Sequence, residues 1–482
     1  MGGIPDGISR YRQKGTVVKK VHGNYYLYKV RSVWDPGRGR ARMITEKYLG
    51  RVTPEGLVKP RYERVVEEMG GVTVKEFGAT DFLRSISLDV IEHLKESHPA
   101  DWKEIAVFAI ARLFHASPLK NVLHYYATSH LSDLFEDAEV SPRRLGELLS
   151  SLGTRRGRTV EFMRKFVVGS EFMAMDLTHV FSLSEGVISA TLGHNSNEDY
   201  VPQVNIALLF SIDRMQPSFF RMVAGSIGDV STVVASLREA GVSKAVIVGD
   251  KGLYSERNVR DAEGLEYVLP LKRNSSFIDY GVIDGGDEKN FDGYFMFNRR
   301  VIWYSERDTE RREGEGKKRR LILFLDERLK AEEKKDFLTH VQAGKKTMKE
   351  YFEYQHRFGT ITVTTNSNFE PKKVFELLKS RVDIEQLFDT FRNLLHADRS
   401  YMRDDEHLEG WMFVNFVAML LYYRIYGVLL RRGLLKRYSP NDVVVHLSRV
   451  HKIKIGGRWM LAEVPKTSRT LLQDVGIEPH IT

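Results

Sequence analysis

The chain has 482 residues, 42% hydrophobic and 28% charged, which suits several packed domains and excludes a disordered polyelectrolyte. It holds no cysteine, which excludes disulfides and thiolate-bound zinc. The net charge of +9 is confined to residues 1–60, where 13 Lys/Arg stand against 4 Asp/Glu, and the remaining residues hold 60 of each. Such a basic module points to a polyanionic partner, most simply nucleic acid, with a solvated basic surface as the plain alternative.

The N-terminal residues lack the pattern of a signal peptide, and the absence of cysteine makes an intracellular location the expectation. Residues 1–80 read as a β-rich module. "TVVKKVHGNYYLYKVRSVW" carries β-branched and aromatic residues around His22-Gly23-Asn24, a hairpin signal. Residues 81–168 turn helical. "SPRRLGELLSSLG" opens on a Ser-Pro start and closes on Gly153, and a second basic helix follows. That pair fits a DNA-binding helix-turn-helix and an ordinary helical hairpin equally well.

From residue 169 the texture changes. "EFMAMDLTHVFSL", "QVNIALLFSI" and "QPSFFRMVAG" read as three successive strands. "DVSTVVASLREAG" reads as a helix capped by Asp229. "KAVIVGD" is the next strand, "SERNVRDAEG" a helix and "LEYVLPLK" another strand. Three meandering strands followed by helix–strand alternation predict an α+β fold around a mixed sheet flanked by helices. Residues 274–359 break the rhythm and read as a β-rich insertion. Strand character resumes at "GTITVTTN", and 366–395 is strongly helical. The expected core is therefore 169–273 with 360–397, and 398–482 is expected to be a helical tail. "WMFVNFVAMLLYYRIYGVLL" is apolar but interrupted by Asn415 and Arg424, which predicts a buried helix rather than a membrane span.

Three acids stand out. Asp250 follows the β-branched run Ala245–Val248, where a doubly covered strand ends, and ligands of open α/β sheets bind beyond such ends. A capping or turn role would account for it as well. Asp176 interrupts the apolar strand "FMAMDLT", which is costly unless the charge is paired or metal-bound. Glu385 shares a helical face with Arg381 and Arg392, at spacings of four and seven residues. A surface ion-pair ladder has the same spacing, and Asp383 and Asp389 are rival acids on the helix. Three clustered carboxylates would need a hard cation, Mg²⁺ or Mn²⁺, with Lys251, Arg381 and Arg392 placed to hold phosphates. In "NRRVIWYSERD", Trp303 lies near Arg299 and Arg300. That grouping suits stacking on an unpaired base, and it suits the core of a small β domain equally.

These blocks, taken in order, resemble the DDE transposases of insertion sequences, specifically the family-four type with a Tyr–Arg–Glu–Lys signature. The resemblance runs from about Met173 to His396. "MDLTHV" is similar to the first-Asp block, and "VIVGDKGLYSERNV" to the second, with Lys251 where Arg is usual. "RVDIEQLFDTFR" is similar to the Arg–Glu–Lys block. Leu378 stands at the signature Tyr position and Arg392 at the signature Lys position. The resemblance implies an RNase H-like catalytic core, catalysis and metal binding by Asp176, Asp250 and Glu385, two Mg²⁺ or Mn²⁺ ions, and double-stranded terminal-inverted-repeat and target DNA. It also implies a synaptic homodimer, no membrane partner and a cytoplasmic, nucleoid-associated location. The rival readings are a transposase-derived DNA-binding protein without catalysis and a metal-dependent phosphohydrolase.

Overall fold

The computed structural model describes residues 5–35, 39–60, 72–115, 118–192, 201–226, 231–242, 246–249, 265–284, 288–309, 319–380, 390, 392, 395–396, 399–455 and 457–478. The chain divides into two compact units. One comprises Met1–Phe82, Lys120–Ala138 and Val445–Thr482, and the other Leu83–Leu119 and Glu139–Val444.

In the first unit β1 (Thr16–Val21), β2 (Asn24–Asp35), β3 (Arg40–Thr53) and β4 (Gly56–Val58) form an antiparallel sheet in chain order. His22 and Gly23, with φ of 46° and 82°, make the two-residue turn between β1 and β2. Positive φ at both positions matches the right-handed twist of the flanking strands. Val18, Leu27 and Val52 form a small core with Ile8. A second sheet joins β5 (Val72–Glu76) to β16 (His451–Ile455) and β17 (Arg458–Leu461). The C-terminal region expected to be helical therefore contains a β-hairpin. Its sequence, "HKIKI" then "RWML", alternates apolar and polar residues with the period of a strand, and β5 supplies a partner nearly 380 residues upstream.

The second unit is built on a ten-stranded sheet. β6 (Phe172–Ser182), β7 (Gln203–Ser211) and β8 (Gln216–Ala224) form an antiparallel meander. β9 (Val246–Val248) pairs parallel to β6, and β10 (Glu266–Pro270) parallel to β9. Numbered from β6, the spatial order of these five strands is 3-2-1-4-5. β11 (Gly293–Phe297), β12 (Arg300–Thr309) and β13 (Arg319–Asp326) belong to the stretch expected to be an insertion, yet they continue the same sheet. β14 (Thr360–Thr365) joins them by pairing antiparallel with both β10 and β13. β7 is buried at every position, so it is covered on both faces.

The main helices of this unit are α1 (Trp102–His115), α2 (Pro142–Thr154), α3 (Arg156–Val167), α4 (Ser231–Ala240), α5 (Glu327–Gln342), α6 (Pro371–Lys379) and α7 (Asp405–Arg431); α3 to α7 pack on the sheet, and α1 and α2 pack against α7. α2 starts where its sequence predicts: Ser141 Oγ accepts from Arg144 N at 3.2 Å and Pro142 fills the first turn. It crosses α7 on a pair of glycines. A Cβ at Gly153 would lie 2.1 Å from Glu406 O, and one at Gly410 2.1 Å from Leu149 O. α3 buries Phe162, Met163 and Phe166 and packs along β8, where Phe220 N donates to Met163 Sδ. Its inner face is thereby committed to packing. α7 is long and apolar enough to cross a membrane by length and composition, with 72% of its most apolar window buried in the fold. Its two polar interruptions are partnered. Asn415 Oδ1 accepts from Arg112 of α1, and Arg424 donates to Gln216 at 2.7 Å and pairs with Asp89.

Candidate active site

β6 and β9 run in parallel register at Phe172/Val246, Met173/Ile247 and Ala174/Val248, and the pairing stops there. Gly249 stays tied to the sheet through its amide, which donates to Val268 O at 3.3 Å. Farther along the same side of β6, β15 (Arg399–Ser400) pairs with Phe181 and Ser182. Asp176 falls between these two partners. It stands two positions beyond Ala174, just as Asp250 stands two positions beyond Val248 in the sequence.

Alternation along the strand fixes the face. Phe172, Ala174, Asp176 and Thr178 point one way. Phe172 lies under α6, with Lys373 Nζ 4.7 Å from its ring centroid and Phe369 at 5.9 Å. Val246, Val248, Val268, Ile302, Ile322, Phe324 and Val363 share this side and pack with Val374, Phe375 and Leu377 of α6. On the other flank, Asp176 registers with Leu208 and Leu208 with Phe220, whose ring meets Phe416 of α7 at 5.7 Å. Asp176 is therefore half-buried on a face bracketed by α6 and α7. Its Oδ1 accepts from Leu177 N at 2.8 Å.

Arg392 reaches this face. Its Nη2 donates to Thr178 Oγ1 at 3.1 Å, two residues from Asp176 on the same side of β6. Thr178 had no signal in the sequence beyond its place on the strand. Arg112 is a second residue that sequence reasoning missed. It is buried on α1, and its guanidinium donates to Leu395 O and, at 3.1 Å, to Asn415 Oδ1. Burial alone lowers the Arg112 pKa to about 10, which leaves it charged at neutral pH. It ties down the chain three residues after Arg392. An arginine inside the apolar run "AVFAIARLF" was the available clue.

The other expected residues are placed differently. Asp250, Lys251, Arg381 and Glu385 lie outside the described residues. Leu378, on α6, packs against the apolar cluster beneath the sheet. Trp303 does not come near Asp176. It alternates with Ile302 and so stands on the opposite face, five strands from β6, about 24 Å at ~4.8 Å per strand. There it is half-buried, and its ring centroid lies 5.2 Å from that of Tyr294 and 6.0 Å from that of Phe291. Arg299 occupies the β11–β12 turn with φ 62°. Arg300 pairs at 3.3 Å with buried Asp326, the carboxylate that caps α5. Among the described residues no group of three His, Asp or Glu side chains is placed to hold a metal ion.

A family described as the transposase DDE domain matches residues 175–421, just over half of the chain. The chain belongs to that family. The matched span begins one residue before Asp176 and takes in Asp250, Glu385, Arg392 and the first part of α7. A search of curated proteins gives no match. Among solved structures the chain is similar to a piggyBac transposase synaptic complex with hairpin DNA, determined by cryo-electron microscopy. Identity is 10%, covering 72% of this chain and 70% of that one, with a TM-score of 0.39.

Proposed function

We propose that this transposase-family chain is a cut-and-paste DNA transposase of an insertion sequence, binding its terminal inverted repeats and catalysing metal-dependent strand cleavage and strand transfer. The observation that carries the reading is the parallel register of β6 and β9, which ends two residues short of Asp176 and of Asp250. Adjacent strands lie ~4.8 Å apart, so two acids leaving that register on one face would be close enough to share ions. Glu385 would come from the chain that follows α6, the helix lying on that same face. The strand order 3-2-1-4-5, with its last two strands parallel to the first, supports an RNase H-like core.

The donor set fits Mg²⁺ or Mn²⁺: hard carboxylate oxygens on an apolar face, with neither thiolate nor a described histidine cluster to favour a softer metal. Two such ions, when bound by Asp176, Asp250 and Glu385, supply activation of a water or 3′-OH and stabilisation of the leaving oxygen. The chain's own contribution is placement. β6 presents Asp176 on the face whose two flanks are packed by α6 and α7. Thr178 orients Arg392, whose charge would help to hold a phosphate of the DNA end. Arg392 in place of Lys keeps the charge and changes the geometry from a point to a fork. Lys251 and Arg381 would add charge. Leu378 supplies no hydroxyl, so any phosphate contact made elsewhere in the family by the signature Tyr is absent. Residues 1–80 and 81–168 would bind DNA, and two copies would pair the element ends in a cytoplasmic complex.

The test is nicking of a labelled duplex carrying the DNA that flanks the chain's own gene, in Mg²⁺, by wild type and Asp250→Ala. The reading requires cleavage by wild type and end binding without cleavage by the variant. Binding by wild type without cleavage would instead indicate a catalytically silent DNA-binding protein. Hydrolysis of a small phosphate ester without duplex nicking would indicate a phosphohydrolase.

A further inference from the structure

The hairpin of β2 and β3 is much longer than its neighbours. β1 pairs with β2 only from Asn24 to Lys29, and β4 pairs with β3 only from Arg51 to Thr53. Beyond that, six registered pairs run on as a two-stranded ribbon, from Val30/Thr45 to Asp35/Arg40. At ~3.4 Å per residue it extends about 20 Å. Arg31, Ser32, Val33 and Trp34, and residues 40–45 opposite them, are exposed on both faces. Two register shifts in the β2–β3 pairing, at Leu27/Tyr28 and Lys29/Val30, sit at its foot. Bulges of this kind bend a hairpin and tighten its twist.

An isolated two-stranded ribbon is marginal in water, and this one leaves Trp34 63% and Met43 57% exposed. Its residues sort by face. Ser32, Trp34, Ala41, Met43 and Thr45 share one side. Arg31, Arg40 and Arg42 share the other, with Val33 and Ile44. Residues 30–45 hold four arginines and one acid, a net of +3 in sixteen residues. Arginines on an edge also deter strand-to-strand aggregation, but that need is met by charge alone and does not call for a projecting ribbon. A major groove of B-DNA, about 12 Å wide, admits a two-stranded ribbon.

We propose that the two strands of the ribbon, residues 30–34 and 40–45, enter the major groove of duplex DNA. The arginine side would take phosphate oxygens along the groove walls. The Ser32, Met43 and Thr45 side would meet base edges and thymine methyl groups. The inference rests on the DNA-binding part of the proposed function and adds the element and the groove.

The experiment uses the full chain in EDTA, so that no cleavage intervenes, with a random-sequence 30-base-pair duplex over a salt series. Two variants are compared with wild type: Arg31→Gln/Arg40→Gln/Arg42→Gln, and a shortened ribbon in which residues 32–43 are replaced by Asn-Gly. Circular dichroism and the melting temperature check that each is folded, and the triple variant keeps the backbone in case the shortened one does not fold. The expected result is a slope of log K against log salt flatter by about 2 to 3 in the triple variant. Wild-type binding should be displaced by the major-groove ligand methyl green and not by the minor-groove ligand distamycin. An unchanged slope in the triple variant, or displacement by distamycin alone, overturns the inference. If binding is unchanged in both variants while wild type still nicks DNA in Mg²⁺, the ribbon assignment fails and the transposase reading stands. If wild type neither binds nor nicks, both fail.

Discussion

The β6–β8 meander of the large sheet and the β2–β3 ribbon are both antiparallel β-structure, yet they are opposites. Every residue of β7 is buried, and its neighbour β6 carries a single acid, the half-buried Asp176. The first eight residues of β3 are all exposed. A covered strand can hold a carboxylate in one place because packing leaves its rotamers little freedom. An uncovered ribbon holds nothing still, but it offers charge and width to a polyanion at no cost to the core. Chemistry should therefore depend on the sheet and DNA affinity on the ribbon, and substitutions in one should leave the other's readout alone.

The largest separation is expected at Asp176. Asp176→Asn should lower metal-dependent nicking on the order of 10⁴-fold, as for a group acting in the transition state, with duplex affinity in EDTA unchanged. A parallel fall in affinity would break the division. Arg392 comes next. Arg392→Gln should slow cleavage about 10- to 100-fold, the worth of a charged hydrogen bond, and Arg392→Lys should recover most of that loss. Equal loss in both variants would mean that the fork itself, rather than its charge, does the work.

Stability offers a third contrast. Phe375 is fully buried on α6, with its ring centroid 5.0 Å from that of Phe324 and 5.2 Å from that of Phe297. Phe375→Ala should cost about 3–5 kcal/mol in chemical denaturation, whereas Trp34→Ala at the ribbon should change stability by less than about 0.5 kcal/mol. The smallest effect concerns pH. Burial alone would raise the Asp133 carboxyl, but hydrogen bonds to His130 and Lys75, with Lys452 beside them, hold it well below its ordinary value of 3.8. Its contribution is complete above about pH 4 and is lost as pH falls through the lowered native value. The melting temperature below pH 4 should thus fall less steeply in Asp133→Asn than in wild type.

Much of this was legible in the sequence because it is written locally. The strands around Asp176 and Asp250, the Ser141–Pro142 helix start and the buried α7 all follow from periodicity and caps within a few residues. Pairing across long separations was not legible. Nothing in "HKIKI" names β5 as its partner, and nothing in "LILFLDE" says that it extends the central sheet through β14 rather than closing a separate domain. The face of Trp303 was lost for the same reason. Its alternation with Ile302 was readable, but the side of the sheet that α6 covers was not. Arg112 shows the converse, since an arginine in an apolar helix announces a buried partner without saying which one.

The central claim is that Asp176, Asp250 and Glu385 act as one ion-binding unit. Electron paramagnetic resonance of the full chain titrated with Mn²⁺ tests it most directly. Wild type should bind two ions showing the exchange coupling expected at about 3.5–4 Å, and Asp176→Asn, Asp250→Asn and Glu385→Gln should each abolish the coupled signal. A coupled pair that survives any one of these substitutions would contradict the account.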